Sequence, residues 1–393
     1  MYIAYNEQQE ELRRELGEYF AKLMTPEIQE DLASGDGEIG CGDVYKRVVR
    51  QMGKDGWLGI GWPKEYGGQG RSMIEQLIFT DEASKAGAPV PFLTINTVGP
   101  TIMQYGNDEQ RREFLPKILA GELHFSIGYS EPDAGTDLAR LQTKAIRDGD
   151  EYIVNGQKMW TSLIQYADYV WLACRTDPEA PRHKGLSMLL VPTNLPGFRW
   201  SPVPTVGGTT TSQTFYEDVH VPAANLVGPE NEGWKLITNQ LNRERVALCS
   251  AASVQHNLAL TRDWAMATKL ADGRRVIDQE WVQMNLADVH AKVEFLKLIN
   301  WKIAWGVDKG VSPADASATK VFGTELYIEA CRKLMECFGQ EAYVERGSPG
   351  AKLKGRIERM YKGTLILTFG GGTNEIQRDI IAMVGLGMPR APR

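Results

Sequence analysis

The sequence predicts an α+β protein laid out in three consecutive blocks: helical at the start, β-rich in the middle, and helical again to the end. Three observations carry this. Leu12, Leu16, Phe20 and Leu23 recur at the 3.6-residue spacing of a buried helix face. From about Leu123, short β-type runs bounded by Pro, Gly and Asp replace that spacing. From Trp234 the helical pattern returns in long segments over 234–270, 278–309 and 313–338, as in a bundle of antiparallel helices.

Local signals set the elements in order. Thr25-Pro26 reads as an N-cap followed by proline at the first helical position. Ser72 to Glu75 is a capping-box pattern before an apolar run, and Asn107-Asp108 opens the helix of EQRREFLPKILAG. The Gly/Trp/Pro stretch 56–70 between them is too broken for either periodicity. In the middle block, EYIVNGQKMW (151–160) reads as a hairpin turning at Asn155-Gly156. YADYVWLACRT, GLSMLLVP and SQTFYEDVHVP supply further strands. The expected domains are 1–122, 123–233 and 234–393, with no internal repeat or low-complexity linker.

Composition narrows the class. With 393 residues, 42% hydrophobic and 24% charged, the chain has the balance of a soluble globular protein. A net charge of -6 argues against nucleic acid as a partner, because phosphate binding relies on clustered Lys and Arg. The N-terminal MYIAYNEQQEELRREL is polar and lacks the apolar core of a signal peptide. No apolar run reaches membrane-span length, so no membrane association is expected. Cys41, Cys174, Cys249, Cys331 and Cys337 are scattered, and the 331/337 pair is a poor match to zinc spacing. Reduced thiols, no metal and a cytoplasmic location are expected.

Four motifs, in order and at the right spacing, resemble the acyl-CoA dehydrogenase family. SIGYSEPDAGTDLARLQTKA (126–145) is similar to its S/T-E-P-x-A-G-S/T-D block, and KMWTS (158–162) to its flavin block. DVHVPAANLVGPENEGW (218–234) resembles its lead into the bundle, and GGGTNEIQRDI its C-terminal motif. The resemblance implies an α-helical N-terminal domain, a middle β-barrel and a C-terminal four-helix bundle, with FAD held between barrel and bundle. It implies α,β-dehydrogenation of an acyl-CoA thioester: a carboxylate takes the α-proton while the β-hydrogen leaves as hydride to flavin N5. The cofactor carries the redox chemistry; the protein supplies orientation and a base.

Carried over by position, Ile127, Tyr129, Ser130 and Thr136 lie along the flavin, with Thr136 also near the ligand. Trp160, Thr161 and Ser162 flank the ring, and Thr373 and Glu375 meet the cofactor from the last motif. An isolated Trp160 would read as a strand core aromatic; the SEP block upstream and the adjacent Thr-Ser reverse that. Glu131 and Asp137 read as turn and hydrogen-bonding residues rather than catalysts.

Many family members place the base immediately before the C-terminal Gly-Thr pair, where this chain has Gly371. A smaller branch, typified by isovaleryl-CoA and long-chain dehydrogenases, keeps it on the first bundle helix in L-x-x-E-R. LNRERVAL (241–248) matches that pattern, so the resemblance assigns the base to Glu244, a thioester-end arginine to Arg245 and a ligand-contacting polar residue to Asn242. Gly371 and Gly372 then leave room for substrate. By itself Glu244, between Arg243 and Arg245, would be a surface glutamate worth a few tenths of a kcal/mol.

The resemblance breaks where family homotetramers carry R-x-x-F-G, which reaches the neighbour's FAD pyrophosphate and adenosine. Here the region is TKLADGRRVIDQEW (268–281), with Asp272-Gly273 in place of Phe-Gly. An aspartate repels a pyrophosphate. The Q-x-x-G-G stretch is likewise altered, to ECFGQEA (336–342). The whole run most resembles the base-bearing subunit of α2β2 steroid side-chain acyl-CoA dehydrogenases, which implies a second dehydrogenase-like subunit completing the FAD site and an electron-transfer flavoprotein as acceptor. A homotetrameric short- or branched-chain dehydrogenase and a non-catalytic structural subunit stay open as alternatives, as does oxidase or flavin monooxygenase chemistry on this fold.

Overall fold

The structure is a computed structural model describing residues 3–34, 42–208, 210–247, 249–306 and 312–390, the side chains of 241–248 excepted. Cys41 lies outside the described residues. In the first block α1 (Glu7–Leu23) buries Leu12, Leu16 and Phe20 on one stripe. It is followed by α2 (Pro26–Ser34), α3 (Gly42–Lys54), α4 (Met73–Ala86), α5 (Gly99–Tyr105) and α6 (Asp108–Leu119). Ser72 and Asn107 cap α4 and α6 in reciprocal side-chain and backbone bonds with Glu75 and Gln110. These caps satisfy amides that a helix start would otherwise leave open.

The middle block is an eight-stranded mixed sheet. Its strands are β1 (Phe125–Gly128), β2 (Lys144–Asp148), β3 (Glu151–Lys158), β4 (Tyr169–Arg175), β5 (Leu186–Pro192), β6 (Phe198–Pro204), β7 (Thr210–Pro222) and β8 (Leu226–Val227). The order is β6-β7-β3-β2-β4-β5-β8, with β1 parallel beside β4. One face forms its own core around Tyr152, Val154, Leu172, Leu189, Val191 and Tyr216. The opposite face, through Trp171, Met188 and Leu190, joins the core of the helical block. Burial on both faces explains why β4 and β5 read as continuous apolar runs instead of alternating ones.

The hairpin expected at Asn155-Gly156 is corrected. Both residues lie within the single strand β3, and the register against β7 shifts between Val154 and Gly156, which marks a bulge. The reversal between β2 and β3 falls at Gly149, φ +57°. Gly156 has φ +151°, and a Cβ there would stand 2.6 Å from Thr143 Oγ1. Glycine was therefore the signature of a bulge and close strand approach, not of a turn.

The last block contains α7 (Gly233–Ala247), α8 (Ala252–Ala267), α9 (Glu280–Gly306), α10 (Pro313–Phe338), α11 (Arg356–Thr364) and α12 (Asn374–Ile380). α10 is central and packs against the other five. The continuous helix expected over 234–270 is corrected to two, α7 and α8. Asn300 of α9 enters the break: its Oδ1 accepts from the Ala251 N–H at 3.3 Å, and its Nδ2 donates to the Cys249 carbonyl at 3.0 Å. A polar side chain inserted into the helical ladder interrupts it, which local periodicity could not reveal. Cys174, Cys249, Cys331 and Cys337 are buried free thiols. Among the described residues, no helix is long and apolar enough to cross a membrane.

Gly156→Val should destabilise the protein by about 2 kcal/mol or more, since it adds backbone strain to a clash. Chemical denaturation followed by circular dichroism measures it; an unchanged midpoint would refute the bulge constraint.

Candidate active site

The two middle-block motifs meet through one side chain. Lys158, at the end of β3, is fully buried, and its Nζ donates to the Tyr129 carbonyl and to Glu131 Oε1, both at 2.9 Å. Glu131 also accepts from the Gln142 and Thr143 N–H groups at 2.6 and 2.9 Å. Beside it the Met159 N–H donates to the Ser130 carbonyl at 2.8 Å. Burial opposes ionisation of Glu131, but Lys158 and these donors outweigh it and hold its carboxyl below the usual range. Glu131 is thus a structural anion. Asp137 is exposed and lies 3.9 Å from Arg182.

This seam forces out Trp160. The Thr161 N–H donates to the Ser212 carbonyl and Ser126 Oγ to the Ser162 carbonyl, both at 2.8 Å. Trp160, between the clamped points, takes φ +64° with its indole 55% exposed. A bulky residue holds that backbone only where its surroundings over-determine it, and such strain gathers at ligand sites. Ile127, Ser130 and Ser162 are half-buried nearby in sequence and seam, and Thr136 is exposed on the turn. Tyr129 and Thr161 are buried, with Thr161 Oγ1 3.5 Å from Thr214 Oγ1. Their side chains belong to the support, leaving their backbone for any ligand.

Below the seam, the Tyr129 hydroxyl donates to Gln240 Oε1, and Trp171 Nε1 donates to the same oxygen at 2.9 Å. Gln240 is 1% exposed on α7, so this knot fixes the rotation of that helix over the sheet. Asn242, Glu244 and Arg245 follow within α7, but their side chains lie outside the described residues. The backbone spacing puts position 244 one turn beyond 240 on the same helix face.

The C-terminal glycines are held from beneath. Gly371 and Gly372 have φ +69° and +95°, values a side chain would resist. Lys320 of α10, with no exposed surface, donates to the Gly372 carbonyl at 2.8 Å and to Asn374 Oδ1 at 2.7 Å. Thr373 caps α12, its side chain accepting from the Ile376 N–H, and Glu375 is exposed. Sequence reasoning passed over Lys158, Gln240 and Lys320. For Lys320 a signal existed: Ser317, Lys320 and Thr324 form a polar stripe at helical spacing, and all three are buried.

The segment aligned with the missing clamp closes on itself. Lys269 and Arg275 form an antiparallel bridge, and Asp272 accepts from Arg274 at its N–H (3.0 Å), Nε (2.8 Å) and Nη2 (2.6 Å). Arg275 pairs with Asp278 at 2.7 Å. Both arginines therefore face carboxylates of their own turn.

Three family profiles match in succession: acyl-CoA dehydrogenase N-terminal domain at residues 6–122, middle domain at 126–219 and C-terminal domain at 231–386. The chain is 66% identical to acyl-CoA dehydrogenase FadE26 of Mycobacterium tuberculosis (strain ATCC 25618 / H37Rv), covering 100% of both. Among solved structures it is similar to a chain of the ChsE4-ChsE5 complex from Mycobacterium tuberculosis, with TM-score 0.94, 66% identity and 100% coverage of both. It is also similar to a chain of the Tcur3481-Tcur3483 steroid ACAD, with TM-score 0.92, 48% identity and 100% coverage of both.

Lys158→Met should cost about 3–5 kcal/mol, because it leaves the Glu131 charge buried alone; adding Glu131→Leu should recover most of it, as read by urea unfolding. The Glu131 contribution is full above the ordinary value of 4.5 and is lost as pH falls through the lowered folded value. Acid unfolding of Glu131→Gln should accordingly be less steep with pH.

Proposed function

Because the chain belongs to the acyl-CoA dehydrogenase family and is an acyl-CoA dehydrogenase, we propose that it introduces an α,β double bond into a bulky steroid side-chain CoA thioester, using FAD and Glu244, in a complex with a second dehydrogenase-like subunit. The single observation that carries the base assignment is the loop at Gly371. It offers no carboxylate, while the rotation of α7 is locked by Gln240 one turn before Glu244. Likeness to a steroid ACAD and to a two-name complex supports the substrate class and the partner.

The residues present fit a flavin. Trp160 offers an exposed indole held by its own backbone, Ser130, Thr136 and Ser162 offer hydroxyls, and the loop at Gly371 and Gly372 lacks side chains. In this reading Ile127, Tyr129, Thr161, Thr373 and Glu375 complete the contact, with Tyr129 and Thr161 using backbone groups. When bound, FAD supplies the acceptor for the hydride that leaves the β-carbon. Glu244 takes the α-proton, so its carboxylate ends protonated as the double bond forms. Arg245 and Asn242 orient the thioester end, Thr136 borders the ligand, and Gly371 and Gly372 admit a bulky acyl group. A base at this position needs partial burial to raise its pKa toward working pH.

The partner claim follows from charge. A turn in which Asp272 and Asp278 hold Arg274 and Arg275 commits both arginines to its own carboxylates rather than to a pyrophosphate. A second chain carrying the arginine and phenylalanine would complete the FAD site. We further place the protein in the cytoplasm, with an electron-transfer flavoprotein as acceptor and domain boundaries at 122 and 233.

Glu244→Gln should lower turnover by about 10²–10⁴-fold while flavin content holds; retained turnover on a steroid-CoA panel would sink the assignment. Produced without a partner, the chain should carry well under stoichiometric FAD. Full loading and activity of the lone chain, measured by flavin absorbance and sedimentation, would refute the heteromer.

A further inference from the structure

The break between α7 and α8 is held from three other helices. Ser250 Oγ donates to Asp81 Oδ1 of α4 at 2.6 Å and accepts from the N–H of Ala252, the first residue of α8, at 3.1 Å. The Tyr327 hydroxyl of α10 donates to the Ser250 carbonyl. Asn300 of α9 binds both flanking residues, as described. Gly323 of α10 packs so tightly here that a Cβ would lie 2.6 Å from that of Cys249. Beside Ser250 and Asn300 lies a cavity of about 50 Å³, lined also by Gln76, Leu77, Thr80 and Ala304. The joint thus has space on one side and polar ties as well as close packing on the others.

We propose that Asp81 is a positioning residue: through Ser250 it anchors the α7–α8 joint and so sets the height of the α7 turn that carries Glu244. The inference rests on Glu244 as base. Asp81 is the only tie to the joint from the first helical block among these contacts, so it couples the floor of one block to the working helix of another. Helix geometry transmits this. With α7 fixed at Gln240 by the sheet, and the joint just past its end fixed at Ser250 by Asp81, the turn between them is held from both sides, whereas loss of either tie lets that turn fray or shift. Burial pushes the Asp81 carboxyl up to about 6, against the help of Ser250, Lys85 and Lys297, with Glu82 adding to the rise. Tyr5, its ring tilted 38° to that of Trp301 with centroids 4.4 Å apart, lies at the same corner. A carboxylate kept at such a disadvantage, with a serine hydroxyl as its closest donor, is more than a solvated helix charge.

The test compares Asp81→Ala with Asp81→Asn in the flavin-loaded protein, together with any chain that co-purifies. An asparagine oxygen can still accept from Ser250, and alanine cannot. Asp81→Ala should speed hydrogen exchange of amides 241–251 by about tenfold. It should also slow single-turnover flavin reduction at saturating acyl-CoA by about 10- to 100-fold, with substrate Kd and flavin content held. Asp81→Asn should restore both. If Asp81→Ala fails to fold, Ser250→Ala removes the same contact together with the Ala252 bond, and unchanged exchange or rate in it overturns the proposal equally. Unchanged exchange at 241–251, an unchanged rate, or an Asn variant as impaired as Ala with flavin lost would each overturn the proposal. Glu244→Gln separates the two readings: if it keeps its rate, the base assignment falls, while exchange in the Asp81 variants still decides whether the joint holds α7.

Discussion

A lysine ammonium without access to water joins the end of a strand to a turn 27 residues earlier in the chain. Lys158 reaches the Tyr129 carbonyl and the Glu131 carboxylate, and three other features depend on that contact. It closes the SEP turn against the end of β3, lets Met159 and Ser130 pair, and leaves Trp160 with no ordinary backbone conformation. An ion pair this deep is worth little as net stability, because desolvating both charges offsets most of their attraction. Its value is in fixing one geometry: the exposed indole stands at the seam because neither strand can slide.

The helix over this seam is held on the same principle, by buried polar ties at its middle and just beyond its C-terminal end. Gln240 is knotted to Tyr129 and Trp171, and the joint after Ala247 to Asn300, Tyr327 and Asp81. Apolar packing sets how close two helices lie, but it tolerates rotation and sliding better than directional bonds do. A proton-abstracting group requires the tighter control, since a displacement of about 1 Å can cost roughly 100-fold in rate.

The C-terminal loop uses a second buried lysine. Lys320 holds the Gly372 carbonyl and Asn374, so that consecutive glycines at positive φ form a stable bare surface. By contrast, the Asp272 turn satisfies its own charges locally, and its arginines are spent on its aspartates. The two regions differ in a way that the proposed partner rests on: the glycine loop is held from beneath by Lys320, and the Asp272 turn is closed on itself.

Much of the fold was legible in the sequence because it is locally encoded. Caps at Ser72 and Asn107 and the stripe of Leu12, Leu16 and Phe20 each depend on residues within a turn or two. Short-range signals misled where a distant partner decided the outcome. Asn155-Gly156 became a bulge because Thr143 and β7 crowd it, and the 234–270 helix broke because Asn300 enters it. The same division runs through the site. Motif order put the expected chemistry on particular residues, and the bare Gly371 sent the proposed base to another helix. The contacts of Lys158, Gln240, Lys320 and Asp81 were decided only by tertiary structure, since each bonds to a group far along the chain, which no local pattern specifies.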